Sequence, residues 1–175
     1  PADSPEDDEA IGAGDQGVVI GYACNETPEL MPMPVVIAHR LTSLLTLARM
    51  TEAVHGIGPD GKAMVVVEYE DDKPLRVDQI LLSVQHDAGV HIEEIQADIF
   101  AQVILPALKG MPTDDQMEVI LNPSGSFVVG GPEANTGLTG RKLMVDAYGP
   151  FVSQGGGALS GKDPTKIDRT AAYMA

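Results

Sequence analysis

Ala63-Met64-Val65-Val66-Val67-Glu68-Tyr69-Glu70 is followed by Asp71-Asp72-Lys73-Pro74 and then by a second apolar stretch over 75–84. The first eight residues are rich in β-branched side chains, which suit a pleated surface. The Asp-Asp-Lys-Pro step is polar and ends in proline, which suits a turn. The pattern predicts a β-hairpin of 63–70 with 75–84. Upstream, Ile37, Leu41, Leu44, Leu45 and Ala48 recur at helical spacing and predict a helix over 35–54, stopped by Gly56 and Gly58. Pro28, Pro32 and Pro34 argue against a helix before residue 34. Downstream, Ile92, Ile95, Ile99 and Val103 predict a helix over 91–105, with acidic residues at its start. A short strand over 117–122 and an Asn122-Pro123-Ser124-Gly125 turn follow. A last helix is expected over 164–174, with Pro164 in its first turn after Asp163. Hairpins separated by helices, without regular βαβ units, indicate an α+β fold: mixed or antiparallel sheets with helices on one face.

The composition narrows the function. The 175 residues carry 26 acidic against 11 basic side chains, a net charge of −15. Nucleic acid is a poor partner for such a surface, because phosphate binding needs a basic patch. The acid is partly local: Asp3, Glu6, Asp7, Asp8 and Glu9 fall within residues 1–11, which read as a flexible tail. Cations gather late, at Arg141, Lys142, Lys162, Lys166 and Arg169, which points to a specific anion site. The single Cys24 allows no intrachain disulfide and suggests a reducing, cytoplasmic compartment. No apolar run approaches membrane-spanning length, and no membrane partner is expected. Aromatic residues are only 4%, so the core must be aliphatic. The chain begins without Met and reads as a piece of a longer protein.

Three stretches carry candidate chemistry. Gly155-Gly156-Gly157-Ala158-Leu159-Ser160-Gly161-Lys162-Asp163 fits the front of a phosphate loop over 156–162, with glycines that admit backbone N–H groups to phosphate oxygens. Asp163 stands where such a loop needs Ser or Thr, and no clear strand leads into it, so the choice is between another kind of anion site and a flexible glycine loop. Gly137-Leu138-Thr139-Gly140-Arg141-Lys142 sets two adjacent cations after a glycine turn, which suits a polyphosphate or a solvated surface turn. In Gly12-Ala13-Gly14-Asp15-Gln16-Gly17 the carboxylate can hold a cation or cap a turn. His39, His55, His86 and His91 lack metal-ligand spacing and read as surface or packing residues.

These stretches, in order, resemble the S-adenosylmethionine synthetase family from about residue 12 to the end. The matching strings are 12–17, Gly21-Tyr22-Ala23-Cys24-Asn25-Glu26-Thr27, Leu30-Met31-Pro32, Ala38-His39-Arg40-Leu41, Leu82-Ser83-Val84-Gln85-His86, Asn122-Pro123-Ser124-Gly125, 137–142, 155–158 and 160–169. The resemblance implies ATP and methionine as substrates, with Mg2+ and K+, and a dimer or tetramer. It implies an incomplete copy of a three-domain pseudo-threefold architecture: a central region over 12–128, then a glycine-rich phosphate-binding region over 129–175. Sulfur attacks the ribose C5′, the triphosphate leaves and is then cleaved, so the protein must surround a leaving polyphosphate with cations.

By the same resemblance Lys62, Arg141, Lys142 and Lys162 contact ATP or tripolyphosphate, the last three being the catalytic candidates. Asp60, Gly61, Phe127 and Ala158 are nucleotide-contacting positions. Lys166 contacts methionine. Asp15 and Asp168 are carboxylates serving the cations. Two positions depart from the family pattern. Ser126 replaces an Arg, removing one cationic ATP contact, and Asn135 replaces an Asp that holds ATP and methionine, keeping hydrogen bonds but losing charge. Nothing here matches the family's His-Pro-Asp-Lys segment, and the chain is expected to stop before the family's last domain. On this reading it does not make S-adenosylmethionine alone; the alternative is a non-catalytic nucleotide- or polyphosphate-binding module of the same fold.

Overall fold

Between Glu70 and Lys73 the chain reverses through Asp71 and Asp72, both in the left-handed region at φ 49° and 61°. Two such residues in succession make the tight turn whose twist matches the paired strands. The computed structural model describes residues 16–134 and 142–175; Asp15, Asn135, Arg141 and the acidic tail lie outside the described residues. The hairpin strands are longer than the β-branched run suggests: β1 spans Ile57–Glu70 and β2 spans Lys73–His86. A short strand β3, Glu118–Leu121, joins β2 in parallel, giving a three-stranded mixed sheet in the order β1-β2-β3. With its helices the fold is α+β, as expected.

One face of the sheet is covered. Helix α1 (Met33–Met50) lays Ile37, Leu41, Leu45 and Ala48 against it. Helix α2 (Ile92–Ile99) continues through a π-helical turn, Phe100–Ile104, into α3 (Leu105–Ala107). The widened turn lets the consecutive residues Val103 and Ile104 both face the core, fully buried. A 3.6-residue period predicts only one of them, which is why the sequence reads as a plain helix to residue 105. Met64 and Val66, on the other sheet face, are exposed.

Register shifts adjust this pattern. Val66 pairs with Gln79 and Val67 with Val77, so Asp78 is an extra residue in β2. The bulge switches which parity faces inward, and Val77, Ile80, Leu82 and Val84 are all buried. At the open end, Ile57 pairs with His86 and Gly61 with Val84, so Gly58, Pro59 and Asp60 bulge out opposite the single Gln85.

Helix α1 begins at Met33, one residue before the expected limit, with Pro34 in its first turn, where a missing N–H costs nothing. The Met33 N–H is capped by the Glu26 carboxylate at 2.8 Å, itself held by the Tyr69 hydroxyl at 2.7 Å. The helix ends at Met50, not 54, because Glu52 adopts φ 56° and the N–H groups of Glu52 and Ala53 turn back to the carbonyls of Arg49 and Ala48.

Residues 25–134 form one compact unit, and residues 16–24 and 142–175 form another. The early segment belongs here because it packs on the late one. Gly17 lies against Ile167 and Asp168, and the Tyr22 ring meets Tyr148 edge-on, 5.9 Å between centroids. The unit contains short α4 (Leu143–Asp146) and α5 (Ile167–Met174). Among the described residues no helix is long and apolar enough to cross a membrane.

The buried Asn122, at φ 43°, extends the β2–β3 pairing beyond its last backbone rung. Its Nδ2 donates to the Val84 carbonyl at 3.0 Å and its Oδ1 accepts the Val84 N–H at 2.7 Å. Asn122→Ala strands both buried groups and is expected to lower stability by about 2–3 kcal/mol in denaturant titration; a loss below about 0.5 kcal/mol would rule out this role.

Candidate functional site

In the sheet unit, the two segments expected to meet the nucleotide converge at the open end of the hairpin. Asp60 sits in the β1 bulge. Its N–H, outside the strand ladder, donates to Gln85 Oε1 at 3.1 Å, and its Oδ2 accepts the Gly131 N–H at 2.8 Å. Gly61 and Lys62 follow, both exposed, and among the described residues no ion pair engages Lys62. Across from them, Phe127 donates its N–H to His86 Nε2 at 3.1 Å and accepts the His86 N–H at 2.9 Å. Ser126 is exposed. The structure thus brings Asp60, Gly61 and Lys62 to the same end as Ser126 and Phe127, through Gln85 and His86, which sequence reasoning assigned no role in the site. The signal was present in the Gln-His pair ending a strand, but the bulge that turns Gln85 to use is not readable from periodicity.

In the second unit, Lys162 and Asp168 form an ion pair. The Asp168 carboxylate lies against Gly17 and Gly157, where no Cβ stands between backbone and oxygen. At Gly157 any side chain would strike Oδ1, so the glycine is required by this approach. Arg169 Nη1 donates to the Lys162 carbonyl at 2.6 Å, fixing the lysine's backbone. Ala158 is half-buried in the same loop, and Lys142 is exposed at the start of α4. Lys166 caps α5, its carbonyl accepting the N–H groups of Arg169 and Thr170, each at 3.0 Å. Of the expected site residues, this unit therefore joins Lys162 directly to Asp168. The loop is not a nucleotide-triphosphatase phosphate loop: no described strand leads into it, and the next helix starts five residues beyond Lys162.

That helix begins at Ile167, three residues later than the expected 164. Asp163 is the reason: its Oδ1 accepts both the Thr165 N–H and the Thr165 hydroxyl at 2.8 Å, closing a turn before the helix. These two bonds, aided by the charges of Lys166 and Arg169, hold the Asp163 carboxyl below its usual value. A depressed carboxyl pKa stabilises the turn above the usual carboxylate value and loses that effect as pH falls through the depressed one. The Thr165 amide is expected to show hydrogen-exchange protection that declines only at strongly acidic pH, and that Asp163→Ala removes at every pH; equal protection in the variant would refute the turn's dependence on this carboxylate.

The described residues hold no cluster of three His, Cys, Asp or Glu side chains that would bind a metal by themselves. Asp168 in its glycine cradle offers one carboxylate, which fits a magnesium ion that takes its other ligands from phosphate oxygens and water.

Comparison with known proteins agrees with the order of these motifs. Residues 10–127 match the family profile described as S-adenosylmethionine synthetase, central domain, and residues 129–175 match S-adenosylmethionine synthetase, C-terminal domain. The second match overturns the expectation that the chain stops before the last domain: the glycine-rich region over 129–175 itself carries that domain's sequence. The S-adenosylmethionine synthase of Pseudothermotoga lettingae is 52% identical over 174 residues, covering 99% of this chain and 44% of that protein. The S-adenosylmethionine synthase of Corynebacterium kroppenstedtii is 51% identical over 173 residues, covering 96% and 43%. The chain spans less than half the length of these curated relatives. With both profiles matched in sequence along nearly its whole length, the chain belongs to the S-adenosylmethionine synthetase family.

Proposed function

We propose that this chain is part of a methionine adenosyltransferase, an enzyme that forms S-adenosylmethionine from ATP and methionine and releases phosphate and diphosphate, and that it does not do so alone. The observation that carries the reading is the Lys162–Asp168 pair beside Gly17 and Gly157, with Arg169 holding the Lys162 backbone. An ammonium group seated at glycine-lined backbone is suited to a polyphosphate, which can displace the carboxylate as partner or share it through a cation.

On this reading Lys162 stabilises charge that grows on the leaving triphosphate, and Arg141 and Lys142 add to that field. Asp60, Gly61, Lys62, Phe127 and Ala158 orient the nucleotide, Ser126 and Asn135 are further ATP contacts, and Asn135 and Lys166 hold methionine so that its sulfur faces C5′. Asp168, with Asp15, would hold Mg2+, which supplies neutralising charge to the phosphate oxygens when bound; K+ belongs to the same assignment. A second copy of the chain in a dimer or tetramer is part of the reading, and the exposed Met64 and Val66 on the uncovered sheet face support it. So are a cytoplasmic setting and a place for the chain within a pseudo-threefold, three-domain protein. A second reading, a non-catalytic nucleotide- or polyphosphate-binding module, is supported by Ser126, an exposed neutral side chain where the family pattern has a cation.

Calorimetry on the purified chain is expected to show tripolyphosphate binding that Lys162→Ala weakens by about ten-fold or more. With ATP, methionine, Mg2+ and K+ the chain alone is expected to accumulate no S-adenosylmethionine. Binding indifferent to Lys162→Ala would overturn the site, and sustained synthesis would overturn the requirement for further protein. Turnover on adding a relative's His-Pro-Asp-Lys-bearing segment in trans favours the enzyme over the binding module.

A further inference from the structure

We infer that Gln85, backed by His86, is a positioning residue that sets the nucleotide-reading segments Asp60–Lys62 and Ser126–Phe127 relative to each other; the inference rests on the nucleotide assignment proposed above. The β1 bulge of Gly58, Pro59 and Asp60 opposite Gln85 leaves the Asp60 N–H without a strand partner. Gln85 Oε1 accepts it at 3.1 Å, while Nε2 of the same carboxamide donates to the Val128 carbonyl at 3.0 Å. One side chain therefore needs an acceptor and a donor at once, and among residues of its length only Gln has both. Asp60 closes the ring by accepting the Gly131 N–H at 2.8 Å.

The space around the carboxamide is the independent sign that this placement is built. A Cβ at Gly58 would come within 2.6 Å of Gln85 Cδ and Oε1, and one at Gly130 within 2.8 Å of Cδ. Gly130 lies at φ −143°, extended backbone open to any residue, so a Cβ there would meet the carboxamide and displace it rather than strain the main chain. His86 completes the clamp. It is 4% exposed, pairs with Phe127 through both its backbone N–H and Nε2, and places Nδ1 3.1 Å from the Asp87 carbonyl. An acceptor at Nδ1 and a donor at Nε2 call for the neutral ring protonated on Nδ1. Gln85 Oε1 and Nε2 each bind one of the two segments, so the side chain acts through the segments it joins.

The test compares two ligands by calorimetry on the 175-residue chain. ATP depends on both segments, whereas tripolyphosphate lacks the nucleoside they would read. Gln85→Met, of equal length but without hydrogen bonds, is expected to weaken ATP by about ten-fold or more and tripolyphosphate by less than about two-fold. Gly130→Ala leaves Gln85 in the sequence but fills its seat, and is expected to reproduce the same selective loss. Equal losses for both ligands, or unchanged ATP binding in both variants, would overturn the inference while leaving the proposed function in place. A wild-type chain that binds tripolyphosphate but not ATP would instead overturn the nucleotide reading, and the inference with it.

Discussion

The antiparallel pairing of β1 with β2 is the constraint on which the sheet unit depends. Its closed end is set by the turn at Asp71 and Asp72, and every rung from there decides which side chains α1 and α2 can cover. Because strand side chains alternate, a single extra residue reverses the faces. The extra Asp78 does so within β2 and keeps Val77 buried along with Ile80, Leu82 and Val84. Arg76 sits beside that irregularity and bonds Glu68 and Asp78 at 2.8 and 2.7 Å. At the open end the second irregularity frees a backbone N–H and turns Gln85 into a connector. These two of the three departures from regular pairing have different consequences: one preserves the core, the other joins the segments around Asp60 and Phe127.

The glycine-rich unit works on another principle. Its residues bury little apolar surface, and none of its helices has a fully buried residue. Charge and main-chain polar groups hold its loop instead. Asp163 ties Thr165, Arg169 ties the Lys162 carbonyl, and Asp168 pairs with Lys162. A half-buried ion pair gains little net stability once the desolvation of both charges is counted, so the value of the Lys162–Asp168 pair lies in keeping an ammonium group and a carboxylate at a glycine-lined place. A fold that spends few apolar contacts there can exchange one charged partner for another at small cost.

Much of this was legible in the residues themselves. The β-branched run at 63–70, the aliphatic stripe of α1 and the Asn122–Gly125 turn each declare their local structure, because local sterics and one buried face suffice to specify them. The ordered motifs identified the family. The sequence also determined which residue types were at hand, including Ser126 where a cation is the family pattern. Other features depended on contacts between distant segments. The π-helical turn that buries Val103 and Ile104 together answers to the sheet beneath it. Asp163 delays α5 by binding Thr165, where proline and helix propensity alone favour an earlier start. Residues 16–24 join 142–175 only through packing across the chain. The Gln85 bridge is the clearest case: its donor and acceptor lie 25 and 43 positions away, and a hydrogen bond depends on distance and angle in space, which one-dimensional spacing does not contain.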